Sequence, residues 1–323
     1  MQTKSVPFRP RPRWFALLLL GALLLLGAGA AFTLTAAKET SPVLARAEEW
    51  EVRRGAVDAA GKKTLLRGKD MALGEAALIS PQHPLDGAYP APSTRTVTAM
   101  VGAYLNAEET AALREEVIYA LCAMEFDHPF SRDVRITEGA LSAAQMEDRR
   151  RDALRRYTGI LPVSEALNSA VTAAPGPAES DHRTGLSLDI RLLGPLNMSR
   201  ADPLLRSETG EWLAGNMWRY GFIRRYAPGS RGEGNCENIH LLYTGRIHAT
   251  AMHILGLGLE DYLSLLHREG KITLLHSGVP WAAVYCFPAD GALTVSVPAE
   301  GSVSAGLDNT GWAVAAVAFG YIP

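Results

Sequence analysis

The sequence predicts an α+β fold, a small antiparallel sheet flanked by helices, with an N-terminal transmembrane helix and a C-terminal β appendage. Three observations predict it. Residues 14–37 are an uncharged, largely apolar run. Between residues 76 and 269, runs with helical spacing alternate with short strand-like runs. Beyond Gly270, β-rich runs are separated by Gly, Pro, Asp and Asn. The boundaries that follow are 1–37 for a basic flank and anchor, 38–75 for a juxtamembrane linker, 76–269 for the α+β domain and 270–323 for the appendage.

Lys4, Arg9, Arg11 and Arg13 precede the apolar run. As a helix that run would be roughly 36 Å long at about 1.5 Å per residue, enough for a hydrocarbon core of about 30 Å. The basic flank orients it, cytoplasmic at the N-terminus with the remainder exported, so a single-pass membrane location with an extracytoplasmic domain is expected. A cleaved signal peptide is the competing reading, with small residues at Ala36-Ala37 as a cut site and a secreted product. The 323 residues carry a net charge of −2, which gives no basis for nucleic acid as a partner. Three cysteines without a Cys-x-x-Cys pair indicate neither a disulfide framework nor a four-Cys metal site.

Along the chain, residues 38–75 show no sustained period, and Ala76 to Ser80 reads as a short strand before a proline-rich entry. Asn106, with Glu109 behind it, reads as the N-cap of a helix whose core face is Leu113, Val117, Leu121 and Met124. Val134–Thr137 reads as a strand. Ser142-x-x-Gln145 is a capping box ahead of a helix from Met146 to Tyr157, whose arginines are balanced by Glu147, Asp148 and Asp152 as on a solvated face. Leu186–Ile190 alternates as a strand, residues 207–220 form an amphipathic helix stopped by Gly221, and Phe222–Tyr226 pairs with His240–Tyr243. Helices from Arg246 to about Leu255 and from Leu259 complete the domain. The appendage strands are Ile272–Leu275, Val284–Phe287, Leu293–Val297 and Trp312–Phe319.

The chemistry-bearing residues lie in two separated stretches. Ser180-Asp181-His182-Arg183-Thr184-Gly185 leads into a strand bearing Asp189, and Glu237-Asn238-Ile239-His240 follows far downstream. Two imidazoles and a carboxylate can hold Zn2+ with one position left to water, and a turn followed by a strand can bring His182 and Asp189 to one ion that His240 completes. Glu237, three residues before His240, stands where a general base is needed. His83, His128, His253, His267 and His276 read as surface or hydrogen-bonded residues.

These motifs resemble those of the VanY-type D-alanyl-D-alanine carboxypeptidases. Ser180-x-His182-x-x-Gly185-x-x-x-Asp189 matches that family's Ser-x-His-x-x-Gly-x-x-x-Asp. Glu237-x-x-His240, Tyr243, Gly245 and His248-Ala249 match its downstream run, and Trp212-Leu213, Asn216, Tyr220-Gly221-Phe222, Arg225-Tyr226 and Pro228-Gly229 match the segment between. The resemblance implies a zinc peptidase that trims peptidoglycan stem peptides ending in D-Ala. It implies His182, Asp189 and His240 as zinc ligands, Glu237 as the base activating zinc-bound water, and Ser180, Gln145 and Tyr243 as substrate-binding residues. The chain departs from the family at Glu138-Gly139-Ala140-Leu141-Ser142, where the family shows Ser-Gly-Tyr-Arg-Ser, and at Ile239 and Leu242, where it shows Trp and Arg. Leu141 in place of an arginine leaves two alternatives open: a zinc-containing cell-wall binding protein with impaired catalysis, and an L,D-carboxypeptidase.

Overall fold

Short, charge-flanked strands near the beginning of the chain pair with strands of similar length near its end. The computed structural model describes residues 43–55, 60–87, 89–227 and 238–320; the apolar run of residues 14–37 and Glu237 lie outside the described residues. Among the described residues, no helix is long and apolar enough to cross a membrane. The fold is mixed, with antiparallel strand pairs throughout the paired registers.

The strands are β1 (Val43–Ala47), β2 (Trp50–Arg54), β3 (Lys62–Arg67), β4 (Arg95–Thr96), β5 (Ala112–Leu113), β6 (Val134–Glu138), β7 (Ser187–Leu192), β8 (Phe222–Arg224), β9 (Ile239–Tyr243), β10 (Lys271–His276), β11 (Val279–Pro288), β12 (Ala292–Val297), β13 (Ser302–Leu307) and β14 (Trp312–Ala318). The helices are α1 (Val97–Val101), α2 (Glu115–Asp127), α3 (Ala143–Thr158), α4 (Val163–Ala173), α5 (Glu208–Asn216), α6 (Gly245–Leu255) and α7 (Leu259–Glu269). The larger sheet runs β1-β2-β10-β11-β14-β13, the smaller one β6-β7-β9-β8, and β3 with β12 makes a separate ribbon.

The larger sheet explains its own sequence. In β11, Trp281 through Phe287 are all buried, as are Ala313 through Ala318 in β14, because both faces are covered and the apolar run need not alternate. On one face, Ala283, Tyr285, Ala315 and Val317 pack with Val295, Leu66 and Leu293 of the ribbon. On the other face lie α6 and α7, and α6 also meets β8 of the smaller sheet. The expected strands beyond Gly270 are present, and β13 joins them. They are not a sheet of their own, since β2 pairs with β10 through Trp50↔His276, Val52↔Leu274 and Arg54↔Ile272.

The expected linker at 38–75 is corrected accordingly. Its strands are only five or six residues long, and β2 buries Trp50 and Val52 on either side of a buried Glu51 and ahead of Arg53 and Arg54, too short an apolar pattern to stand out among charges. Ala76 to Ser80 is also not a strand. Its backbone is tied to the β13–β14 turn, where Leu78 N donates to Asp308 O at 2.9 Å and Asn309 Nδ2 donates to Leu78 O at 3.0 Å. The helix expected from Asn106 begins at Glu115 instead, because the Asn106 backbone is taken by an extended pairing in which Ile136 N donates to Asn106 O at 2.8 Å. The capping box at Ser142 and Gln145 forms as expected. The 207–220 run is α5 followed by a 3-10 turn, Met217–Tyr220, ended by Gly221 at φ 92°.

α6 and α7 are joined by a buried polar contact with a pH signature. His248 Nδ1 lies 2.8 Å from the hydroxyl of Tyr262, a residue with no solvent exposure, and the tyrosine donates to the neutral imidazole. Burial lowers the His248 pKa from 6.5 to about 4. Between those pH values the unfolded chain takes a proton that the folded chain refuses, so stability is full above about pH 6.5 and falls as pH drops towards 4. The expected loss is on the order of 3 kcal/mol at ~1.4 kcal/mol per pH unit. Thermal melts from pH 7 to pH 4 should show a shallower decline for His248→Gln than for the unsubstituted chain; parallel declines would contradict the assignment.

Candidate metal centre

The smaller sheet and one tight turn assemble the centre. Residues 181–184 form a 3-10 turn with Ser180 as N-cap, its Oγ accepting from His182 N at 3.3 Å. Thr184 Oγ1 donates to Asp181 O at 2.6 Å, and Gly185 leaves the turn at φ +72°, a conformation that favours glycine. The chain then enters β7, where Leu188 and Ile190 face the core and Asp189 faces the other way. In the ladder to β9, Asp189 sits directly opposite His240, so one register fixes both side chains on one face.

His182, Asp189 and His240 thereby converge, with one ligand atom from each within 4.8 Å of the others. His182 directs Nδ1 at Gly139 O, 2.6 Å away, which leaves Nε2 facing the centre, 3.5 Å from Asp189 Oδ1. Gly139 is required there because a Cβ would stand 2.2 Å from Ala112 O. His240 Nδ1 lies 2.7 Å from Asp189 Oδ1, and its Nε2 lies 2.9 Å from Asp181 Oδ1.

Asp181, His240 and Arg225 are all buried. Burial would raise the Asp181 pKa, but the adjacent His240 charge and hydrogen bond, with His182 and Arg225, hold it well below the usual carboxylate range. Burial would lower that of His240; the charges and hydrogen bonds of Asp181 and Asp189 instead raise it to about 10. Asp189 is held low in the same way, burial being outweighed by His182 and His240. Behind Asp181 stands Arg225, with Nε 3.8 Å from Asp181 Oδ2, and its two Nη atoms donate to Glu260 of α7 at 3.0 and 2.7 Å. The Tyr226 ring centroid lies 5.4 Å from that of His240, and burial together with the Asp181 charge keeps its hydroxyl protonated.

The donor set fits a divalent metal. His182 Nε2, His240 Nδ1 and Asp189 Oδ1 point into one small volume, and each imidazole has its other nitrogen held by an oxygen, the arrangement that fixes the tautomer of a ligating histidine. Where no metal is bound, a proton on His240 offsets part of the charge of Asp181 and Asp189.

The other expected site residues do not join this group. Ser180 is buried and holds the turn. The Gln145 carboxamide accepts from Ser142 N at 2.8 Å as part of the α3 cap, so it serves the helix rather than the centre. Tyr243 is three residues from His240, an odd number that places it on the opposite face of β9, where its ring meets Phe222 at 5.3 Å between centroids. Sequence reading passed over Asp181, which sits at an unassigned motif position, and the Arg225–Glu260 pair. It also passed over Glu138, which forms an ion pair with Arg149.

Residues 149–246 match the VanY family model, D-alanyl-D-alanine carboxypeptidase, and this span contains His182, Asp189 and His240. The chain carries a VanY-type domain. A D-alanyl-D-alanine carboxypeptidase of Enterococcus faecium is 32% identical over 122 residues, 37% of this chain and 37% of that protein. Another, from Enterococcus faecalis (strain ATCC 700802 / V583), is 36% identical over 104 residues, 31% of this chain and 36% of that one. The match spans little more than a third of the length of these two relatives. Among solved structures, the vancomycin resistance D,D-dipeptidase VanXYg, in complex with a D-Ala-D-Ala phosphinate analogue, aligns with a TM-score of 0.63 at 17% identity, covering 80% of this chain and 100% of that one. At that identity the likeness establishes a shared fold.

Proposed function

We propose that this VanY-type chain is a zinc-dependent D-alanyl-D-alanine carboxypeptidase that trims peptidoglycan stem peptides. The observation that carries the reading is the convergence of His182, Asp189 and His240 within 4.8 Å, inside the segment that matches the family. Two imidazoles and a carboxylate suit zinc among the common divalent ions. When bound, the zinc supplies Lewis acidity that polarises a carbonyl and makes water acidic near neutral pH.

The chain's own groups do the remainder. His182 Nε2, His240 Nδ1 and Asp189 are the holding atoms, and Asp181 keeps the proton on His240 Nε2 so that Nδ1 stays a ligand. Arg225, anchored by Glu260, adds its charge to those of His240 and His182 in keeping Asp181 ionised. Glu237, as general base, takes a proton from the attacking water as the C–O bond forms and returns it to the amine as the C–N bond breaks. Ser180 acts by holding His182 in its turn. The basic flank and the length of the apolar run at residues 14–37 support a location on the outer side of the cytoplasmic membrane, where such peptides are found.

The test is release of D-Ala from a D-Ala-D-Ala-terminated stem peptide by the detergent-solubilised full chain, beside a peptide ending in L-Lys-D-Ala. Release that a chelator abolishes and added zinc restores is the expected result. Faster cleavage of the L-Lys-D-Ala end would reassign the substrate, and no metal-dependent release from either would contradict the reading.

A further inference from the structure

The smaller sheet carries a row of polar side chains that runs past the metal centre. Glu138 of β6 is the partner of Asp189 in β7, which is the partner of His240 in β9. Directly paired residues share a face, one strand spacing of about 4.8 Å apart. Glu138 reaches this face because the β6–β7 register shifts between Ile136 and Glu138; without that bulge it would follow Ile136 towards the core.

Glu138 is nearly covered, with a side chain 11% exposed, and grips the Arg149 guanidinium through both Nη atoms. The arginine comes from α3, whose first turn is pinned by the Ser142–Gln145 capping box, so the helix presents it at a fixed place. Its side chain remains 51% exposed, and it is near enough to Asp189 to feel that charge. A guanidinium has five N–H donors and Glu138 occupies two, which leaves donors free on the exposed side. Leu141 lies beside the centre, its N donating to His182 O at 3.2 Å, and its side chain offers no donor.

A peptide cut at its last bond carries a carboxylate about 3.8 Å beyond the reacting carbonyl, the length of one residue. That is close to the strand spacing that separates Glu138 from Asp189. We propose that Arg149, steered by Glu138, receives the terminal carboxylate of the substrate and makes the site selective for free C-terminal ends. This rests on the hydrolase reading for the identity of the substrate, and Arg149 acts in it as a specificity-determining residue. The forked donors of an arginine suit a carboxylate better than a lysine's point charge.

Calorimetric titration of the zinc-loaded full chain with D-Ala-D-Ala and with its C-terminal amide tests the assignment. The unsubstituted chain is expected to bind the acid at least tenfold more tightly than the amide. Arg149→Gln should erase that preference by weakening the acid alone, Arg149→Lys should restore part of it, and adding Leu141→Arg to Arg149→Gln should restore it from the neighbouring position. Metal content and melting temperature identify a variant that has merely lost its fold, in which case the acid-to-amide ratio of the unsubstituted chain and of Arg149→Lys decides. Equal binding of acid and amide by the unsubstituted chain, no binding of either, or equal weakening of both in Arg149→Gln would overturn the proposal. Acid-selective, Arg149-dependent binding without D-Ala release would leave it standing and remove the hydrolase reading. Release of D-Ala and D-Ala amide at equal rates would do the reverse.

Discussion

Replacing Glu237 with Gln is expected to lower D-Ala release on the order of 10³-fold while leaving one zinc per chain. The reasoning is chemical. Gln keeps the size and hydrogen-bonding capacity of Glu but cannot accept a proton at neutral pH, and in the proposed reading the metal is held by His182, Asp189 and His240. Glu237 stands two residues ahead of Ile239, the first residue of the strand that sets His240 opposite Asp189. Rate and metal content should be measured on the same preparation. A rate within tenfold of the unsubstituted chain would remove Glu237 as the base, and loss of the metal along with the rate would move it into the ligand set.

A comparably large effect is expected in the larger sheet. Trp50, 6% exposed, packs against Trp218, Trp281 and His276 with ring centroids 6.2, 4.9 and 4.6 Å away. Trp50→Ala should cost about 3–5 kcal/mol, as deletions of large aromatic side chains from cores do. For a unit of this size that corresponds to a fall in melting temperature on the order of 10 °C. Were residues 38–75 a linker, the melting temperature would not move, so a shift of only a degree or two would contradict the placement of β2 in the larger sheet.

The parts of this molecule that a single sequence discloses are those whose physics is local. Ser142-x-x-Gln145 specifies its cap within four residues, and the capping box forms. Leu188, Asp189 and Ile190 alternate, and the aspartate emerges on the face opposite the two aliphatic residues. Gly185 and Gly221 mark turns that need positive φ. His182, Asp189 and His240 were legible because their spacing matched a motif, and the structure brings them together.

What was not legible depends on partners distant in the chain. β2 pairs with β10 more than two hundred residues later, and nothing in Trp-Glu-Val-Arg-Arg announces its partner. Asp181 becomes significant only when β8 and β9 bring Arg225 and His240 to it. Glu138 lies just past the strand expected at Val134–Thr137, and a bulge, invisible to a period-2 reading, turns it onto the face of Asp189. Tyr243 failed in the other direction, since a motif match carried it into the site while the alternation of β9 puts it on the far face.

The central claim is that one divalent ion is held by β7, β9 and the turn before β7. Anomalous diffraction from crystals of the zinc-loaded chain, recorded on both sides of the zinc absorption edge, tests it most directly. The account predicts a single strong peak about 2.0–2.2 Å from His182 Nε2, His240 Nδ1 and an Asp189 carboxylate oxygen. A zinc peak elsewhere, or zinc-loaded crystals with none between these three side chains, would contradict it.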